Sequence, residues 1–130
     1  MNNQRMYQEH LQRYLNHYTD CYVKWTTGSM DKSSYPDKFQ LERIEKAKNS
    51  EPILYPGRKF DRIVFQNSTM AFVAKANGTH KGIDYKLGDV FKSATRKQPA
   101  KHVRGSIFDK SYDSWNTWTG PAYMHQMEKK

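Results

Sequence analysis

A single cysteine, Cys21, excludes an intramolecular disulfide and leaves no cysteine pair for a closed zinc site. No stretch approaches the roughly 20 consecutive apolar residues of a membrane-spanning helix, and MNNQRMYQEH at the N-terminus has no apolar signal-peptide core. Mean hydropathy is only −1.02. A soluble protein of a reducing cytoplasm, with no membrane partner, is therefore expected. The chain also lacks HExxH, CxxC and GxxxxGK[ST]. Its histidines, at 10, 17, 80, 102 and 125, show no ligand spacing, so no metal and no cofactor are expected. His102 has no acid or nucleophile near it in sequence. Asp61, Asp84 and Asp89 fall on or beside predicted strands, but nothing in their spacing demands a shared Mg²⁺, and turn roles account for Asp84 and Asp89. No catalytic residues emerge, and the expectation is a protein that is not an enzyme.

What is abundant is aromatic surface and positive charge. The 130 residues suffice for one domain with one core, and 14% are Phe, Trp or Tyr, so that core is built from large rings. With 22 Lys+Arg against 13 Asp+Glu, the formal charge is +9, which attracts polyanions at long range; the same charge also keeps a small protein soluble. The triplets Asn67-Ser68-Thr69 and Asn77-Gly78-Thr79 read as turns rather than sugar acceptors.

Between Gln4 and Trp25 the positions Tyr7, Leu11, Tyr14, Leu15, Tyr18, Tyr22 and Trp25 recur at intervals of three and four, which predicts an amphipathic helix stopped by Gly28. A polar linker over 26–34 leads to a second helix starting near Ser34 to Asp37, with Pro36 in its first turn and Phe39, Leu41, Ile44 and Ala47 on its apolar face. From Phe60 the period shortens. FDRIVFQ and TMAFVAK predict an antiparallel hairpin turning at Asn67-Ser68, and IDYKLGDVFKSA predicts a third strand interrupted near Gly88. The fold class is thus α+β: two N-terminal helices packed on a small three-stranded antiparallel sheet, with a basic loop and an aromatic C-terminal strap. Within a single domain over 1–130, the helical part is 1–50, the sheet 58–94, and loop and strap 95–130.

The basic loop follows from the run Gly88 to Asp109. Lys92, Arg96, Lys97, Lys101 and Arg104 lie there with no acidic residue between Asp89 and Asp109. Unpaired cations resist burial, so they face solvent or an anionic partner. Lysine and arginine on a loop neutralise phosphates without reading sequence. Lys86, Lys92, Arg96, Lys97, Lys101, His102, Arg104 and Lys110 are therefore the candidate nucleic-acid contacts, against the plainer alternative of a solvated surface. Tyr112, Trp115 and Trp118 are candidate stacking faces for unpaired bases. The alternative, favoured for Trp115 and Trp118, is a strap that seals the core, with Gly120-Pro121 turning Tyr123 against it.

GDVFKSA at 88–94 followed by KQPAKHVRGSIFD at 97–109, with Phe72-Val73 before and Gly120-Pro121-Ala122-Tyr123 after, resembles small uncharacterised bacteriophage proteins that carry an FV strand, a GD(V/I)xK strand, a PAKHxRG segment and a terminal GPAY. The likeness covers about residues 58–124 and departs from the pattern at Thr95-Arg96, where an aromatic residue is expected. It implies a phage protein acting in the host bacterial cytoplasm, and implies no activity. Charge and resemblance together point to a small non-enzymatic binding protein that contacts nucleic acid, DNA or RNA, mainly through phosphates. The alternatives are a phage effector that binds and inhibits a host protein of the defence or transcription machinery, and a minor virion component.

Overall fold

The computed structural model describes residues 2–28, 38–109 and 111–121. Helix α1 spans Asn2–Gly28, and the predicted stop at Gly28 falls at the edge of the described residues. Its predicted stripe is the buried face: Tyr7, Leu11, Tyr14 and Tyr18 are buried, and Leu15 and Tyr22 pack against the same core. Trp25, at the far end of the stripe, is 52% exposed. Helix α2 spans Lys38–Lys48, so the predicted start at Ser34 to Asp37 lies outside the described residues.

The apolar face expected of α2 is not buried. Phe39 is 74% exposed and Leu41 is also exposed, leaving Ala47 as its buried residue. Nor does α2 build a second layer over the sheet. It lies against α1, and the Thr19 hydroxyl of α1 donates to the Ser50 carbonyl just beyond it, at 2.6 Å. With Phe39 and Leu41 exposed and charged side chains at many of its positions, α2 offers too little buried apolar area to compete with α1 for the sheet.

The sheet is larger than expected. Strands β1 (Ile53–Tyr55), β2 (Phe60–Phe65), β3 (Ser68–Ala74), β6 (Asp89–Ser93) and β7 (Pro99–Ser106) form five antiparallel strands in the order β1-β2-β3-β6-β7. The β2–β3 hairpin turns on Gln66 and Asn67, both at positive φ (52° and 65°), a geometry whose twist matches that of paired strands. Between β3 and β6 the chain makes a separate hairpin, β4 (Gly78–His80) with β5 (Ile83–Tyr85). The predicted third strand is therefore two strands. Gly88, at φ 86°, turns the chain between them, and only β6 joins β3.

The supposed basic loop after Ala94 contains β7, an edge strand. No period of two reveals it because its register slips twice against β6, between Val90/Phe91 and between Phe91/Ser93. Bulges and exposed charge, here Lys101, are also what keep an edge strand from pairing with another chain.

A period of two divides the sheet into faces. Asp61, Ile63 and Phe65 of β2, Ala71 and Val73 of β3, and Val90 of β6 are buried on the α1 side. Over the same side runs the C-terminal strap: a 3-10 turn at Tyr112–Ser114, then β8 (Asn116–Thr117) paired with β9 (Gly120–Pro121). Tyr14 carries the junction. Its ring stacks on Trp115 at 5.8 Å and meets Tyr112 edge-on at 5.6 Å. Its hydroxyl donates to Asn116 Oδ1 at 2.9 Å and accepts from the Tyr18 hydroxyl at 2.7 Å. Trp115 in turn lies flat on Gly105 of β7, where any Cβ would meet the indole.

Two outcomes follow from this packing. Gly105→Ala should lower stability by about 1–3 kcal/mol, read as an earlier urea midpoint at unchanged slope; an unshifted midpoint would contradict the Trp115 contact. Burial, first of all causes, raises the phenol pKa of Tyr7, Tyr14 and Tyr18 above the ordinary 10.0. The folded state keeps protons that the unfolded chain releases, so this stability is complete below pH 10. Above it, stability falls by about 1.4 kcal/mol per pH unit for each tyrosine. The phenolate absorbance of these three buried tyrosines should appear together with the loss of helix ellipticity in one alkaline step. Complete tyrosine titration with the helix intact would refute it.

Candidate functional site

With α1 and the strap on one face, the other face carries the side chains of opposite parity: Ile53 and Tyr55 of β1, Phe60, Arg62 and Val64 of β2, Thr69 and Phe72 of β3, Phe91 and Ser93 of β6. The β4–β5 hairpin covers one part. Tyr85 sits 5.2 Å from Phe60 and 5.7 Å from Phe91, forming a second small core with Phe72 and Val103. The remainder is open.

Two adjoining cavities occupy that open part. One, of about 660 Å³, is floored by Ile53, Tyr55, Arg62, Val64 and Thr69 and closed by the β2–β3 and β6–β7 turns. The other, of about 460 Å³, runs on from the shared Tyr55 and Arg62 to the β1–β2 loop. Together they form one groove along β2. Arg58, Lys59, Arg62, Arg96 and Lys97 line it, and no aspartate or glutamate does.

These cations sit on pinned backbone. The Arg62 guanidinium lies over the Tyr55 ring, 4.5 Å from its centroid, and donates through Nη1 to Thr69 Oγ1 at 3.3 Å. Thr69 Oγ1 then donates to the Arg96 carbonyl at 3.1 Å, and Ser93 Oγ donates to the Thr69 carbonyl at 3.1 Å, tying the Arg96 turn to the central strands. That turn is closed by Thr95 Oγ1, which accepts from the Lys97 and Gln98 amides. On the opposite rim, Lys75 Nζ donates to the Gly57 carbonyl at 3.0 Å. Gly57 lets the loop fold close, since a Cβ there would meet the Phe60 carbonyl.

Lys75 also reaches the underside of the sheet. Asp61 is buried there: its Oδ2 accepts from the Tyr7 hydroxyl at 2.7 Å, and its Oδ1 lies 3.4 Å from Lys75 Nζ, an ion pair rather than a close hydrogen bond. Lys75 thereby couples the α1 face to the groove's rim. Among the described residues no cluster of His, Cys, Asp or Glu could hold a metal ion.

The predicted contacts separate in space. Arg96 and Lys97 line the groove, and neither makes an ion pair among the described residues. Lys101 and His102 are exposed on the β7 edge. Lys86 is exposed in the turn before β6, where its amide donates to the Asp89 carboxylate at 2.8 Å. Lys92 points the other way: Nζ donates to the Pro121 carbonyl at 3.1 Å, and burial, then the charge of Arg104, hold its pKa below the ordinary value. Arg104 is half-buried beside it, and Lys110 lies outside the described residues.

The expected stacking faces are committed to packing. Tyr112 and Trp115 are buried in the main core, and Trp118 packs against Tyr22 at 4.9 Å and Trp25 at 5.2 Å. The strap reading describes them, because such rings gain more by covering the sheet than by facing water. Missed altogether were Tyr55, Arg58, Lys59 and Arg62. Their signal was present: Arg62 alternates out of phase with Asp61 and Ile63, so it belongs to the face away from α1.

Lys75→Met, which removes both the Gly57 and the Asp61 contacts, should cost about 2 kcal/mol in chemical denaturation, more than Asp61→Asn, which keeps a partner for Tyr7. Equal stability of Lys75→Met and the parent would show that the ion pair contributes nothing.

Residues 1–124 match the model of a family of unknown function, DUF7717. No curated protein and no solved structure matches the chain.

Proposed function

The chain belongs to DUF7717, a family of unknown function, and we propose from its own residues that it is a non-enzymatic binding protein that holds nucleic acid through phosphates. The observation that carries this reading is the groove of Arg58, Lys59, Arg62, Arg96 and Lys97 on a sheet face with no acidic residue in its lining. Guanidinium and ammonium groups carried on short turns release counterions when they meet phosphates. Lys101, exposed on the β7 edge, adds a further cation. The setting that fits the resemblance to phage proteins is an infected bacterial cytoplasm; no helix of the described residues is long and apolar enough to cross a membrane.

A second reading, an effector that docks on a host protein, draws on the exposed Trp25, Phe39 and Leu41 of the two helices. Aromatic anchors are frequent in protein interfaces. A pull-down from nuclease-treated bacterial lysate separates the two readings, because a protein partner survives that treatment and a nucleic-acid bridge does not.

Affinity for nucleic acid should fall linearly with salt on logarithmic axes, by about 0.7–0.9 in slope for each phosphate contacted. Replacing Arg96 and Lys97 together by glutamate should weaken binding at least about tenfold and flatten the slope by roughly 1.5. No retention at low salt, or a salt-independent affinity, ends the proposal.

A further inference from the structure

The groove has a floor as well as a charge, and the floor is what selects among polyanions. Ile53 is 53% exposed and Tyr55 is 44% exposed, side by side on an edge strand, with Val64 half-buried beside them. All three face away from α1, and the hairpin core of Phe60, Phe72, Tyr85 and Phe91 stops short of them. A ligand that offered only charge would leave this apolar surface wet. A duplex does offer only charge here: its base faces are stacked inside, and its outer surface is phosphate and sugar. An unpaired strand presents phosphates and flat apolar bases together, which matches rim and floor at once.

Resting on the nucleic-acid reading above, we propose that the groove takes single-stranded nucleic acid, with Tyr55 as the ring on which a base stacks and Arg62 as the group that orients it. Arg62 holds one face of the Tyr55 ring and is itself held by Thr69, so the ring is fixed before a ligand arrives. The cations follow the line a strand would take. Arg96 lies at the turn end of β2, Arg62 at its middle, and Arg58 and Lys59 at its start, over a strand of about 20 Å by its six residues. A backbone running along β2 meets positive charge at each end and at the centre, with its bases turned to the floor.

The test compares three fluorescent probes in anisotropy titrations at fixed low salt: an oligothymidylate of about 15 nucleotides, an abasic oligomer of the same length that keeps phosphates but has no bases, and a duplex of that length. The oligothymidylate should bind at least about tenfold tighter than either of the others. Tyr55→Ala should weaken it by about 5- to 140-fold and leave the abasic oligomer within about twofold; Tyr55→Phe, which keeps the ring, should restore the difference. Tyr55 is an exposed edge residue, and matching urea midpoints of the variants establish that the fold is retained. Equal affinity for the three probes, or a Tyr55→Ala protein whose preference for the oligothymidylate is as large as the parent's, overturns the stacked single-strand assignment while the phosphate reading stands. Failure of all three probes to bind overturns the phosphate reading itself.

Discussion

The contact on which the architecture depends is the junction of Tyr14 with the C-terminal strap. One side chain meets Tyr18, Asn116, Tyr112 and Trp115, so a helix from the beginning of the chain and a strap from its end are locked over the same sheet face. The phenol hydroxyls sit in apolar surroundings, where an unmade hydrogen bond is costly; the chain of donors from Tyr18 through Tyr14 to Asn116 removes that cost. Aromatic rings share this core with aliphatic side chains, and the buried tyrosine hydroxyls find partners in one another, in Asn116, in Asp61 and in the Ile107 carbonyl.

The arrangement has a direct consequence for the other face. A single long helix and a strap can cover only one side of five strands, and α2, with its small apolar area, joins α1 rather than crossing to the far side. The β4–β5 hairpin shields part of the far face, and what is left over β1 and β2 is open. Antiparallel sheets tolerate one solvated face when its side chains are polar. Here Ile53, Tyr55 and Val64 give that face an apolar floor, and the charged residues lining it are all positive. Arg62 reconciles the two by lying on Tyr55 while presenting charge. Lys75 links the faces, since it holds both the Asp61 carboxylate beneath and the Gly57 carbonyl on the rim.

Much of this was legible in the sequence, and the failures have physical causes. The tyrosine stripe gave the buried face of α1 because a long helix with one apolar side repeats its pattern many times. The β2–β3 hairpin was readable from two short apolar runs about a turn. The same reasoning overestimated α2, where four apolar positions gave the right period but too little area to hold a sheet. It missed β7, because two bulges erase the alternation on which strand reading relies. The charge run from Lys92 to Arg104 looked continuous along the chain, yet strand geometry sends Lys92 to the strap side and Arg96 and Lys97 to the groove. Their spatial neighbours Arg58, Lys59 and Arg62 stand more than thirty positions earlier, brought in by strand pairing that no local pattern encodes.

The central claim is that the sheet face turned away from α1 is where this molecule meets its ligand. Two-dimensional NMR during titration with an unlabelled single-stranded oligonucleotide addresses it most directly, since each residue reports separately. Shifts should concentrate on Tyr55, Arg58, Arg62, Thr69 and Arg96, while Tyr14, Asn116 and the buried face of α1 stay still. Shifts confined to the exposed surfaces of the helices around Trp25, Phe39 and Leu41, with the groove unmoved, would contradict it.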